Sequence, residues 1–189
     1  MRGYIFDLDG TLVQSSLDFA AMRAAVGCPQ GQDILHYVAS LAEPQRSAAT
    51  AEIARHELLD AQQAHWMPFA DDVLSLLRQR DIPVAIVTRN NRQATATKMA
   101  GCSVPIDCVL TREDALPKPH PQALLQIARR WQIPCQEIVY IGDYYYDLAA
   151  AKNANMAAWL YGHKDVSYAH LADRVLPCFQ QLYQELYAI

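Results

Sequence analysis

Tyr4-Ile5-Phe6-Asp7-Leu8-Asp9-Gly10-Thr11-Leu12 runs from an apolar stretch straight into two carboxylates spaced i and i+2, followed by a glycine. A short apolar run of this kind suits a parallel strand buried on both faces, and open α/β sheets place their chemistry beyond the carboxyl ends of such strands. Comparable runs recur at residues 84–87, 108–110, 138–141 and 157–160. Stretches with helical spacing lie between the later ones, at residues 71–80, 92–100 and 121–131. The alternation predicts an α/β fold with a Rossmann-like, doubly wound parallel sheet.

Residues 15–69 break the pattern. They hold no β-branched run and are rich in Ala, Gln, Leu and His at helical spacing. Helices are predicted at residues 17–26, 32–41 and 45 to about 65, interrupted by Gly27-Cys28-Pro29 and Glu43-Pro44, with Pro68 marking the return to the sheet. The expected organisation is a core of residues 1–14 and 70–189 with a helical insertion at 15–69.

The length of 189 residues allows one compact domain, or one with a modest insertion. Hydrophobic residues make up 52% of the chain and charged residues 19%, ample for a packed core and unlike a disordered chain. A net charge of -4 has the wrong sign for a protein that binds by neutralising nucleic-acid phosphates. The apolar stretch before Asp7 is shorter than the roughly 7 to 15 residues of a secretory leader's core. No later run approaches the ~18 apolar residues of a membrane span. Cys28, Cys102, Cys108, Cys135 and Cys178 are odd in number and scattered, without a C-x-x-C pair. They read as reduced thiols in a cytoplasmic protein.

Four elements can carry chemistry. Asp7 and Asp9, with Gly10 permitting close backbone approach, can bind a hard cation and leave an oxygen free to attack an electrophile. Taken alone, the same residues also make an ordinary turn. Thr88, after the run at 84–87, offers a hydroxyl beside the backbone amides of Arg89 and Asn90, where a loop opening towards a helix can cradle an anion, or can serve simply as a helix cap. Lys118 is held between Pro117 and Pro119 and can neutralise a phosphoryl group. Asp143 and Asp147, spaced i and i+4 after the run at 138–141, can share one face of a helix start. All four fall at or just after buried strands. They would therefore gather several carboxylates, a hydroxyl and an ammonium around one cleft, a density of acid that calls for a divalent cation, with Mg2+ the natural oxygen-preferring choice.

In their order, Asp7-x-Asp9-Gly10-Thr11, Thr88, Lys118 and Gly142-Asp143-x-x-x-Asp147 resemble the four motifs of the haloacid dehalogenase-like superfamily. The insertion resembles the small α-helical cap of its phosphoglycolate phosphatase and β-phosphoglucomutase branch, as does the closing segment 172–176 with its final helix. The resemblance implies Asp7 as nucleophile, forming an aspartyl phosphate, and Asp9 as the acid and then the base. It implies Mg2+ held by the Asp7 carboxylate, the Asp9 carbonyl and the Asp143 carboxylate. Asp147 would support this shell or orient Lys118, and Thr88, Lys118 and the backbone amides near Gly10 and Arg89 would hold the phosphoryl oxygens. The implied activity is that of a magnesium-dependent phosphatase acting on a small phosphorylated metabolite, as a monomer or homodimer, with no nucleic-acid or membrane partner. A sugar phosphomutase uses the same motifs, and a non-catalytic phosphate-binding or scaffolding domain would keep the fold.

The acid at Asp9 favours phosphoryl chemistry over carbon-halogen hydrolysis. The absence of lysine from residues 15–69 argues against relatives that form a Schiff base through a cap lysine. Three consecutive tyrosines, Tyr144 to Tyr146, are bulkier than is usual inside the fourth motif. Arg23, Arg46, Arg55 and His56 are the insertion groups that could meet an anionic substrate tail. Trp66 and Phe69 are expected to pack at the junction with the core, and His163 and His170 to lie in a surface loop.

Overall fold

The computed structural model describes residues 1–106, 108–162 and 165–188. The first half of the chain contains β1 (Gly3–Phe6), β2 (Val13–Gln14), α1 (Phe19–Val26), α2 (Ile34–Ser40), α3 (Gln45–Ala61), β3 (His65–Trp66) and α4 (Ala70–Gln79). It continues with β4 (Val84–Val87), α5 (Arg92–Met99), β5 (Val109–Leu110) and α6 (Gln122–Trp131). The closing part holds β6 (Ile138–Gly142), α7 (Tyr145–Asn153), β7 (Ala157–Tyr161), β8 (Arg174–Leu176) and α8 (Phe179–Tyr187).

Six strands form one parallel sheet in the order β5-β4-β1-β6-β7-β8, with Ile5 in register with Ala85 on one side and Tyr140 on the other. Period-2 alternation divides each central strand between two apolar layers. Tyr4, Phe6, Val139 and Ile141 pack with Leu74 and Leu77 of α4 and Phe179 and Leu182 of α8. Ile5, Ile138 and Tyr140 pack on the opposite face with Leu124 and Ile127 of α6 and Leu148 of α7. Helix α4 shows why such a segment folds: Val73, Leu74, Leu76 and Leu77 make one buried stripe, while Asp71 and Asp72 in the first turn and Arg78 in the last complement the helix dipole.

The chain moves from β1 to β4 and outward to β5, then returns to place β6 on the other side of β1. The crevice beyond the ends of β1, β4 and β6 is therefore a topological switch point, where open α/β sheets bind ligands.

Residues between β2 and β3 form the three expected helices, joined by a small apolar cluster of their own that includes Met22, Ile34, Val38 and Ile53. The third helix ends at Ala61, earlier than its periodicity predicts, because His65 and Trp66 pair antiparallel with Gln14 and Val13. A two-residue ladder is too short to show a strand pattern. Strand β8, the sixth of the sheet, is a further element beyond the five apolar runs of the sequence. Trp66 packs against the first core layer and donates through Nε1 to the Lys98 carbonyl at 3.2 Å, while the Phe69 ring lies 6.0 Å from Tyr183. His170 is exposed, within a short 3-10 turn; His163 lies outside the described residues. No described helix is long and apolar enough to cross a membrane.

Candidate active site

Asp7 and Thr88 are the first residues past β1 and β4, yet the sheet still grips their backbones. The Asp7 amide donates to the Ile141 carbonyl at 2.8 Å, and the Thr88 amide to the Leu110 carbonyl at 3.0 Å. Both side chains are buried, fixed at the crevice floor by the strands rather than by a loop.

Lys118 is the centre of the arrangement. Its buried ammonium donates to Asp7 Oδ1 and to Asp147 Oδ1, each at 2.6 Å, and to the Tyr140 hydroxyl at 2.8 Å. The other carboxylate oxygen of Asp147 accepts from the Tyr144 amide at 3.0 Å, capping α7. With both oxygens engaged, Asp147 holds Lys118 and the helix start together. Asp7, Asp143 and Asp147 each present a carboxylate oxygen within 4.8 Å of the others, so residues far apart in sequence meet at one point.

This cluster is electrostatically unbalanced. Burial pushes Asp7 well above the usual carboxylate range, and the neighbouring Asp147 charge adds to this, against the pull of Lys118. Burial and Asp147 likewise drive Asp143 up to about 7. Burial alone would lower the Lys118 ammonium, but Asp147 and Asp7 outweigh it and leave it raised. One ammonium does not compensate three acids, two of them buried and Asp143 half-buried, and a carboxylate held this way gains from an added cation.

The donor set fits a hard divalent ion, since its converging atoms are carboxylate oxygens. Space for one is preserved at Gly10, whose φ is +73° and where a Cβ would stand 2.2 Å from Asp143 Oδ2. Only glycine meets both requirements. The Gly10 amide itself donates to the Val13 carbonyl at 2.8 Å, closing the turn after the strand.

Asp9 has both carboxylate oxygens engaged. One accepts from Asn90 Nδ2 at 2.5 Å and the other from the ammonium of Lys98. Asn90 itself is positioned by its amide, which donates to Thr88 Oγ1 at 3.1 Å. Arg89 turns away from the crevice floor: it donates to Asp33 Oδ2 at 2.5 Å and to the Lys118 carbonyl at 2.9 Å, and stacks 4.1 Å above the Tyr146 ring. The side chain of Arg89 thus ties α2 to the crevice. The tyrosine run gains a structural reason, with Tyr146 supporting Arg89 and Tyr144 forming part of the crevice wall.

The crevice encloses about 440 Å³ between the strand ends and the inserted helices. Its floor is Asp7, Asp9, Thr88, Lys118 and Asp143, and its far wall includes Leu17, Phe19, Met22 and Ile34. Of the four insertion groups singled out in the sequence, Arg23 lines this space, with Nη1 donating to the carbonyls of Pro29 at 2.6 Å and Gln32 at 2.8 Å. Arg46 pairs with Glu43, while Arg55 and His56 pair with Glu52; none of these three lines it.

Sequence reasoning missed the Asn90 side chain, Lys98, Glu57, Asp60 and Arg112. Asn90 stands two residues after Thr88, and that spacing was the available signal. Lys98 sits one helical turn from Ala94 and Thr95, on the buried face of α5. Nothing in the composition marks that face as buried.

The model of the haloacid dehalogenase-like hydrolases matches residues 17–160. A haloacid dehalogenase-like hydrolase domain-containing protein of Arabidopsis thaliana is 32% identical, the alignment covering 90% of this chain and 77% of that protein. The chain belongs to the haloacid dehalogenase-like hydrolase family. This hydrolase chain is also 30% identical to a phosphoglycolate phosphatase of Chromobacterium violaceum, over 88% of each protein. In fold it matches a hydrolase from Pseudomonas syringae with a TM-score of 0.82, covering 100% of this chain and 99% of that one at 21% identity.

Proposed function

We propose that the protein is a magnesium-dependent phosphatase that cleaves a small phosphomonoester through a phosphorylated Asp7. The observation that carries this reading is the convergence of Asp7, Asp143, Asp147 and Lys118 at the switch point, with the Lys118 ammonium 2.6 Å from both Asp7 and Asp147. Phosphoryl transfer asks chiefly for positioning and charge stabilisation, and this geometry supplies both.

The Asp7 and Asp143 carboxylates and the Asp9 carbonyl would hold Mg2+, which when bound supplies positive charge against the phosphoryl oxygens and lowers the proton affinity of the two acids. An Asp7 oxygen attacks phosphorus as the ester P–O bond breaks, and Asp9 gives a proton to the departing alkoxide. Asp9, now a carboxylate, takes a proton from water as the water oxygen attacks phosphorus. The bond from phosphorus to Asp7 then breaks, releasing inorganic phosphate and restoring both aspartates. Lys118 balances charge on nucleophile and phosphate, while the Thr88 hydroxyl and the Arg89 amide donate to the phosphoryl oxygens. The inserted helices act as a cap over the leaving group.

Relatives that bear the name phosphoglycolate phosphatase support a small, phosphoglycolate-like substrate. Arg23, bonded to backbone carbonyls rather than to a carboxylate, is the insertion group placed to meet an acidic tail.

The test is hydrolysis of p-nitrophenyl phosphate and of a panel of phosphorylated metabolites, with and without magnesium. Asp7→Asn should lose at least about three orders of magnitude in turnover while its thermal unfolding stays cooperative. Activity near that of the parent would remove Asp7 as nucleophile. A requirement for a bisphosphate activator would convert the reading to a phosphomutase.

A further inference from the structure

Lys98 lies on α5, outside the motif positions, with its side chain fully buried. Its ammonium donates to Asp9 and, at 2.7 Å, to Asp60 Oδ2. Asp60 belongs to α3 of the insertion, and its own oxygens accept from Ser15 Oγ and the Ser16 amide, both at 2.7 Å. Ser15 and Ser16 are the first residues of the segment that leaves β2 for the inserted helices. One turn earlier on α3, Glu57 accepts from Arg112 and, at 3.1 Å, from the Asn91 amide at the start of α5. A continuous polar chain therefore runs from the insertion through a buried lysine to one carboxylate oxygen of Asp9.

We propose that Lys98 is a positioning residue that aims Asp9, and that α3 sets Lys98 in place through Asp60. The inference rests on the phosphatase reading above. A lysine has a long, flexible stem, and burying its charge is unfavourable unless acceptors fix it. Here the two acceptors are Asp9 and an acid delivered by the insertion. Asn90 holds the second oxygen of Asp9, so the carboxyl plane is defined from two sides. Docking of α3 thereby fixes the Asp9 orientation that delivers a proton to the leaving oxygen. Without Lys98, Asn90 alone leaves the carboxyl free to turn about its single tether.

The consequence is selective. An alkoxide leaving group needs the aimed proton, whereas p-nitrophenolate departs without one. In the full-length protein with magnesium, Lys98→Met should lower kcat/KM for 2-phenylethyl phosphate by about 100-fold and for p-nitrophenyl phosphate by no more than about 3-fold. Asp9→Asn should show the same preference, and adding Lys98→Met to it should change neither substrate by more than about 2-fold. Asp60→Asn, which preserves volume and an acceptor, should shift the preference in the same direction by about 5-fold, and it decides the matter if Lys98→Met does not fold.

Equal losses on the two substrates, or an undiminished rate on the alkyl ester in a folded variant, would overturn the role of Lys98. That result is distinguishable from failure of the phosphatase reading. The reading itself fails if the parent protein shows no magnesium-dependent turnover of either ester, or if Asp7→Asn remains active.

Discussion

Asp143 shows how a single residue couples stability to pH. Its carboxyl titrates at about 7 because burial and the charge on Asp147 disfavour ionisation. The folded state binds this proton more tightly than the unfolded chain, so its contribution favours folding at low pH and is lost as pH rises from about 4 through about 7. In metal-free protein at pH 8, Asp143→Asn should therefore raise Tm by about 2 °C or more, measured by scanning calorimetry with a chelator present. A lower Tm would show that the Asp143 charge is compensated in the free protein. The same protonation predicts that magnesium binding at pH 6.5 releases protons. Titration calorimetry in two buffers of different ionisation enthalpy should give different apparent heats, and identical heats would contradict the raised value.

At the scale of elements, α5 matters more than its weak amphipathic pattern suggests, since it presents Lys98 to the site. Its N-terminus is capped by Asn91, whose side chain accepts from the Ala94 amide at 2.7 Å. Asn91→Ala should destabilise the protein by about 1 kcal/mol, read as a lower urea midpoint with an unchanged m-value. An unaltered midpoint would mean that packing alone fixes the helix start. The central strands and helices α4, α5 and α6 were legible in the sequence, the strands as short apolar runs and the helices by their spacing. Strands β2 and β3 were not, since two-residue ladders depend on a partner some fifty residues away. The floor of the site could be read from acids placed just after apolar runs. The second ring, from Asp33 to Arg112, could not, because an exposed and a buried lysine or glutamate look alike until the tertiary contacts form.

For the whole molecule, acids of opposite tendency set the pH range of the metal-free fold. Asp33 and Asp60 are also raised by burial, but Arg89 and the His36 amide for the first, and Lys98, Ser15 and Ser16 for the second, more than reverse this. With lowered values, they stabilise the fold above about pH 4 and lose that contribution as pH falls further. Asp7 and Asp143 act in the other sense, favouring the fold as pH falls from neutrality. Stability of the metal-free protein should consequently peak at about pH 5, and magnesium should flatten the alkaline side of the curve. Urea midpoints collected from pH 3 to 9, with chelator or with magnesium, check this. A monotonic rise without metal would refute the balance.

The pairing of Val13 with Trp66 brings the outgoing and returning chain side by side. The chain between them enters and leaves the sheet by one narrow doorway, folds around its own apolar cluster and docks α3 on α5. Lengthening or rebuilding that pendant loop therefore leaves the spacing of the parallel strands unchanged. Natural variation can retailor what enters the crevice while the reacting groups beneath keep their places, provided that the replacement still lowers an acid onto Lys98.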